Sequence, residues 1–205
     1  MINNNLITIF LIAFSLVGCN KNIKNCETKA PPLVDGDIRD FIDLGVKPIK
    51  ITDDVNLYIY QNLHYVWLGY SYPKDSYGTM DMELITPKIK DTLNLHVSAQ
   101  IGEWPLNKPH LAPQKPESDK WWNMKGWIAN EVWPNGMDKS GQTPRYQFKN
   151  GKARELQLST KRFGKGIWKF KLNIRSIKGK KNKFYNTSFP SDKSFYKLEL
   201  TNKKM

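Results

Sequence analysis

Apolar and polar residues alternate with a period of two in successive segments of the chain, and turn-forming residues separate these segments. In residues 93–101, for example, leucine, valine, alanine and isoleucine alternate with asparagine, histidine, serine and glutamine. No long segment has an apolar period of about 3.6 residues, so the pattern predicts an all-β protein. The predicted strands are residues 55–60, 64–72, 80–84, 93–101, 168–175 and 195–200.

Strands without helical crossovers in one domain predict two antiparallel sheets packed face to face, and we expect a jelly-roll-like β-sandwich rather than a closed barrel. The Gln61-Asn62 step predicts that the first two strands form a hairpin. Between Gly102 and Gly126 four prolines interrupt the alternation. This segment is predicted to be a long irregular Trp/Pro-rich loop insertion, and such loops in compact domains are usually functional or disordered.

An uncharged apolar run at residues 6–17 precedes Gly18 and Cys19, and it is shorter than the ~20 residues that a membrane-spanning helix needs. The run resembles the signal peptide and lipobox of bacterial lipoproteins, although residues 1–6 contain no lysine or arginine. The resemblance implies that residues 1–18 are removed and that Cys19 is acylated. Asn20 then implies the outer membrane, facing the periplasm or the cell surface.

The remaining chain divides into a tether and one domain. Residues 19–33 are polar and end near Pro31-Pro32, which is typical of a flexible linker, and residues 34–205 have the length of a single domain. If Cys19 is acylated, Cys26 has no partner in the chain, so we expect no disulfide.

The net charge of +13 is concentrated towards the C-terminus. Residues 1–144 carry 14 Lys and Arg against 16 Asp and Glu, whereas residues 145–205 carry 18 against 3. A surface that binds acidic polysaccharide, lipid headgroups or nucleic acid is one interpretation. Alternate strand positions such as Lys169, Lys171 and Arg175 favour the other, a solvated sheet face. Export from the cytoplasm, which the signal-peptide resemblance implies, disfavours nucleic acid as the ligand.

Five of the seven tryptophans lie between residues 104 and 133, in or beside the Trp/Pro-rich loop. Indole rings stack on the apolar face of a pyranose, while carboxylate, amide and guanidinium groups bond its hydroxyls. Core packing of these aromatics is the alternative. The stacking candidates are Trp104, Trp121, Trp122, Trp127 and Trp133. The hydrogen-bonding candidates are Glu103, Asn123, Asn130, Glu131 and Arg154.

Other chemistry has weaker support in the sequence. Glu103 with Glu131, or Asp81 with Glu83, offers carboxylates for a glycosidase, which needs them roughly 5 to 9.5 Å apart. The three histidines lack metal-ligand spacing, and neither a nucleophile elbow nor a phosphate loop is present in the sequence. We therefore predict neither a catalytic residue nor a cofactor.

Four segments resemble the DOMON-like β-sandwiches, specifically the family 9 carbohydrate-binding modules. They are Val34-Asp35-Gly36, the hairpin from residues 56–59 to 67–70, the Thr79–Leu84 strand, and Arg154–Leu158. The resemblance implies a sugar held between tryptophans at one end of the sheets, often with a structural calcium. Some DOMON relatives instead hold haem through Met and His. The resemblance carries over no individual ligand-contacting residue.

We therefore expect a lipid-anchored, exported, non-catalytic protein that binds carbohydrate through the Trp-rich loop. Because tryptophan also anchors protein interfaces, the alternative is a structural or assembly lipoprotein that docks a protein partner. A glycoside hydrolase is the third hypothesis. The ligand, the oligomeric state and the role of Cys26 are left open by the sequence.

Overall fold

The computed structural model describes residues 29–148 and 151–200. The predicted signal peptide, Cys19 and Cys26 lie outside the described residues. Within them, no helix is long and apolar enough to cross a lipid bilayer.

Antiparallel strands are the main regular elements of the described chain. The helices are short: α1 is Arg39–Asp43 and α2 is Thr160–Phe163. Single 3-10 turns occur at Pro109–Leu111 and Lys180–Asn182. In chain order the strands are β1 Ile49–Lys50, β2 Asn56–Gln61, β3 Tyr65–Ser71, β4 Thr79–Ile85, β5 Leu93–Val97, β6 Ile101–Pro105, β7 Trp127–Ala129, β8 Pro134–Asp138, β9 Arg145–Phe148, β10 Ala153–Ser159, β11 Ile167–Lys178, β12 Phe184–Phe189 and β13 Tyr196–Glu199.

The strands form two larger sheets and one separate hairpin. Sheet I has the order β1-β2-β3-β10-β7, and sheet II has the order β12-β11-β4-β5-β6. Strand β13 pairs with the first residues of β11, while β8 and β9 pair with each other. The predicted all-β antiparallel sandwich is therefore confirmed. The jelly-roll topology stays a prediction.

The inner faces of the two sheets share one hydrophobic core. Leu57, Leu68 and Leu156 of sheet I belong to the same buried cluster as Met82 and Leu172 of sheet II. The alternation in the sequence explains this, because every second side chain on a strand points to the same face of its sheet.

The outer faces differ from each other. On sheet I the outer Tyr58 and Trp67 are buried under Phe41 of α1. A Cβ atom on Gly69 would lie 3.0 Å from the Phe41 ring, so a glycine at this position lets the helix pack closely. The outer face of sheet II is polar and carries the side chains of Asp81, Glu83 and other residues described below.

One strand prediction is wrong. The alternation at residues 93–101 predicts one strand, but the chain turns between β5 and β6. Ser98 closes the turn, since its N–H donates to the Gln100 carbonyl and its Oγ accepts from the Gln100 N–H. The predicted hairpin at Gln61-Asn62 is confirmed by the pairing of β2 with β3.

Candidate functional site

The candidate site lies on the outer face of sheet II, where β4, β5 and β6 run side by side. Asp81, His96 and Gly102 are direct cross-strand neighbours, so these three positions lie on the same face of the sheet. Gly102 has no side chain, and the ring of Trp121 occupies the space above it. A Cβ on Gly102 would lie 3.0 Å from Trp121 Cε3 and 3.6 Å from Trp104 Cζ3.

Three rings surround this glycine, and we call Trp104, Trp121 and His96 the aromatic cluster. The two indoles are edge to face, with centroids 6.3 Å apart and an interplanar angle of 77°. The imidazole centroid lies 5.2 Å from Trp121 and 6.1 Å from Trp104. Both indoles are half-buried, so each keeps part of its surface open to a ligand.

The Trp/Pro-rich loop reaches the cluster because it attaches to the free edge of β6. The Trp122 N–H donates to the Ile101 carbonyl at 2.7 Å. The Asn123 amide accepts from the Glu103 N–H and donates to the Glu103 carbonyl, at 3.0 and 3.1 Å. Asn123 thus takes the place of a neighbouring strand and covers an edge that would otherwise have free backbone groups.

A left-handed backbone at Trp122 separates the two adjacent tryptophans. Its φ of +65° is uncommon for a large residue and marks local strain. Trp121 lies over Gly102 and donates from Nε1 to the Lys115 carbonyl at 3.1 Å, whereas Trp122 is 50 % exposed. Of these two neighbours, Trp122 is therefore the one that faces solvent.

Asp81 connects the polar groups beside the aromatic cluster. Its Oδ1 lies 2.8 Å from His96 Nδ1 and accepts from Asn94 Nδ2 at 3.0 Å, and its Oδ2 accepts from Arg175. Burial by itself raises the pKa of Asp81, but the hydrogen bonds from His96 and Asn94 and the nearby positive charges outweigh it. The pKa of this carboxyl therefore lies below its ordinary value.

Two of the predicted ligand contacts lie between the sheets instead. The Glu103 carboxylate accepts two hydrogen bonds from Arg162, at 2.7 and 2.8 Å, and one from Trp127 Nε1 at 2.7 Å. Trp127 is only 4 % exposed. These three side chains join the edge of sheet II to the edge of sheet I, and they occupy structural positions.

The remaining predicted residues lie elsewhere. Arg154 is 2 % exposed and donates to the Tyr77 carbonyl at 2.7 Å. Asn130 accepts a hydrogen bond from the backbone of Glu155. Glu131 and Trp133 line a separate surface depression next to the N-terminal segment. The structure therefore brings Trp104 and Trp121 together, with Trp122 and Asn123 at the edge, but not the other candidates.

The carboxylate pairs considered for a glycosidase are also separated or occupied. Glu103 is held by Arg162, while Glu131 lines the depression beside Trp133. Asp81 and Glu83 do share the outer face of sheet II, at positions two residues apart on β4. Of these two, Asp81 already accepts from three donors.

Asp81, Asn94, His96 and Arg175 are site residues that sequence reasoning did not select for ligand binding, although it considered Asp81 as a glycosidase carboxylate. The sequence does show that these residues occupy the polar positions of their strands, since each alternates with buried apolar residues. Their contact depends on the register of β4 with β5 and β11, which links residues 81, 96 and 173. No local signal in the sequence gives that register.

Among residues 29–148 and 151–200, no group of three or more His, Cys, Asp or Glu side chains is arranged to hold a metal ion. The structural calcium implied by the family resemblance stays a prediction. Asp81 and His96 instead bond to each other and to neighbouring side chains.

The chain matches no protein-family model, no curated protein and no solved structure. The resemblance to family 9 carbohydrate-binding modules therefore stays an interpretation of the sequence.

Proposed function

We propose that the protein binds carbohydrate without catalysis, and that its binding site is the aromatic cluster on the outer face of sheet II. Two half-buried indoles at an angle of 77° form a corner with a polar side. A pyranose has the same combination of surfaces, because its C–H face is apolar and its hydroxyls lie around the edge of the ring.

The observation that carries this proposal is the contact between the aromatic cluster and the group around Asp81. His96 belongs to both, since its ring packs against Trp121 while its Nδ1 bonds to Asp81. A ligand stacked on an indole would therefore lie beside the carboxylate of Asp81 and the guanidinium of Arg175, while the buried amide of Asn94 holds Asp81 in place. These are the partners that sugar hydroxyls need as donors and acceptors.

The lowered pKa of Asp81 does not suit the acid of a glycosidase. A glycosidase needs a carboxylic acid with a raised pKa to protonate the leaving oxygen. The pKa of Asp81 is lowered, so this group is an acceptor at neutral pH. His96, Asn94 and Arg175 take three of its roughly four lone-pair positions, which leaves one to accept a hydrogen bond from a sugar hydroxyl.

Location is the second part of the proposal. If Cys19 is lipidated and residues 19–33 form a tether, the domain is held at a membrane surface, most simply the outer membrane. A binding domain at that place concentrates glycan near the cell. The sequence pattern around Cys19 and the polar composition of residues 19–33 support this placement.

Calorimetric titration with a glycan panel tests the proposal, using the intact chain in a mild detergent. We expect saturable binding that weakens at least about fivefold in Trp104→Ala and Trp121→Ala, because a lost stacking partner costs about 1 kcal/mol or more. Trp133→Ala is the matched control, since Trp133 is 68 % exposed and lies in the separate depression. Absence of binding across neutral and acidic glycans would contradict the proposal.

A second candidate function has an observation of its own. Ile128, Trp133 and Met137 are exposed hydrophobic residues within a short stretch from β7 to β8. Such residues anchor protein interfaces. Crosslinking in membranes tests whether this stretch docks a partner, which should be recovered reproducibly and lost in Trp133→Ala. Recovery of the same proteins with Trp133→Ala would count against docking through this stretch.

A further inference from the structure

We propose that the ligand is an acidic glycan, carboxylated or sulfated, and that Lys169, Lys171 and Lys197 hold its anionic groups. This inference rests on the proposed function and names the substrate class of the same outer face. The lysines belong to β11 and β13, at the end of sheet II opposite the aromatic cluster.

The pairing of β11 with β13 places two of these lysines against each other. Lys169 and Lys197 are direct cross-strand partners, and both side chains are exposed. Lys171 lies two residues further along β11, on the same face. Like charges at directly opposed positions destabilise a sheet, and an anion bound between them removes the repulsion.

The lysines are also available for a ligand. Among the described residues, no ion pair within 4.0 Å involves Lys169, Lys171 or Lys197. Glu83 lies opposite Lys171 in the sheet. The hydrogen bond from Ser194 lowers the pKa of Asp192 most, and the positive charge of Lys171 makes the smallest of the lowering contributions. By contrast, Arg175 on the same strand is paired with Asp81.

The register connects the lysines to the aromatic cluster. Lys171, Glu83, Asn94 and Trp104 are successive cross-strand neighbours on four adjacent strands. At about 4.8 Å between strands, this row is ~14 Å long. A single sugar ring cannot contact both ends, whereas an oligosaccharide lying across the strands can. One ring then stacks on Trp104 while an anionic group two or three residues away reaches the lysines.

Calorimetry with matched ligands tests the inference on the intact chain in mild detergent. The carboxylated probe is an oligogalacturonate, with its methyl ester as the uncharged counterpart. The sulfated probe is a sulfated galactan oligosaccharide, with the desulfated chain as its counterpart. We expect one of the acidic probes to bind at least about tenfold more tightly than its counterpart, and the difference to shrink in high salt because exposed charges are screened.

Lysine variants separate local contacts from net charge. Replacing Lys169, Lys171 and Lys197 together by Gln should weaken binding of the acidic probe at least about tenfold and leave the neutral counterpart unchanged. The control replaces Lys180, Lys181 and Lys183 in the exposed turn after β11, which removes the same charge. That control should bind both ligands like the parent.

The outcomes distinguish the inference from the proposal beneath it. Binding that requires Trp104 but is equal for acidic and neutral glycans, and indifferent to the three lysines, overturns the inference and leaves the proposed function standing. No tryptophan-dependent binding to any glycan overturns both. Tighter lysine-dependent binding of a single-stranded oligonucleotide than of either acidic glycan overturns the inference in favour of nucleic acid, which also stacks on aromatic rings.

Discussion

Replacing Glu155 by Gln should abolish a large pH dependence of stability. Glu155 is fully buried on β10, where its Oε2 accepts from the N–H groups of Asp35 and Gly36. Within the described residues its Oε1 has no hydrogen-bond partner. Burial, with a smaller contribution from Asp40, raises the pKa of Glu155 from an ordinary value of 4.5 to about 8.

The sign and size of the effect follow from the two pKa values. Between pH 4.5 and about 8 the folded carboxyl keeps a proton that the unfolded chain releases. The stabilisation is complete below pH 4.5 and is lost as the pH rises towards 8. At about 1.4 kcal/mol for each pH unit, the free energy of unfolding falls by at most about 5 kcal/mol over this range. Water entering around the ionised group would reduce that figure.

Urea unfolding followed by tryptophan fluorescence at several pH values measures the effect. In Glu155→Gln the amide oxygen keeps both backbone hydrogen bonds and nothing titrates, so the stability difference between pH 5 and pH 8 should shrink by up to about 4 kcal/mol over these three pH units. Glu199→Gln, an exposed position on β13, is the matched control and should behave like the parent. A Gln variant with the same pH slope as the parent would refute the reasoning.

Three further changes test other parts of the structure. Arg162→Ala leaves the Glu103 carboxylate buried without its ion pair and should lower the free energy of unfolding by about 3 to 5 kcal/mol in urea titrations. Gly102→Ala should displace the indole packed on it and weaken glycan binding several-fold with little change in melting temperature. Gly141→Ala is the control, because its Cβ would make only an ordinary contact of 3.9 Å with the Thr143 carbonyl, and it should leave glycan binding unchanged. Cys19→Ser should abolish incorporation of labelled fatty acid and release the protein from membranes.

Each of these has an opposing result. A loss below about 1 kcal/mol in Arg162→Ala would mean that the ion pair behaves as an exposed one. Unchanged glycan affinity in Gly102→Ala would mean that the indole above it does not contact ligand. Fatty acid still attached to the Cys19→Ser variant would place the anchor at another residue.

The sandwich could be predicted from the sequence because alternation is a local signal. Leu57, Leu68 and Met82 each sit on the apolar phase of a strand, and all three are in the core. The same signal failed at Ser98, since the alternation continues through the turn that Ser98 and Gln100 close. Alternation indicates which face of the sheet a side chain points to, but it does not indicate where a strand ends and the chain turns back.

The clustering of tryptophans in the sequence identified the indoles of the candidate site but not its polar side chains. Trp104 and Trp121 lie in the same stretch of sequence, whereas Asp81 and Arg175 come from distant strands that meet only through the sheet register. The buried position of Glu103 could not be predicted from the sequence either, because it depends on an ion pair with Arg162 of α2. Polar residues become structural or functional according to partners that are remote in the chain.

The indole N–H signals of the tryptophans in a nitrogen-15 NMR titration test the binding face most directly. With the tighter of the acidic probes, we predict that the signals of Trp104 and Trp121 shift together and saturate at one concentration, while those of Trp122 and Trp133 stay in place. Shifts confined to Trp133 or Trp122, or none at saturating ligand, would contradict a glycan site on the outer face of sheet II.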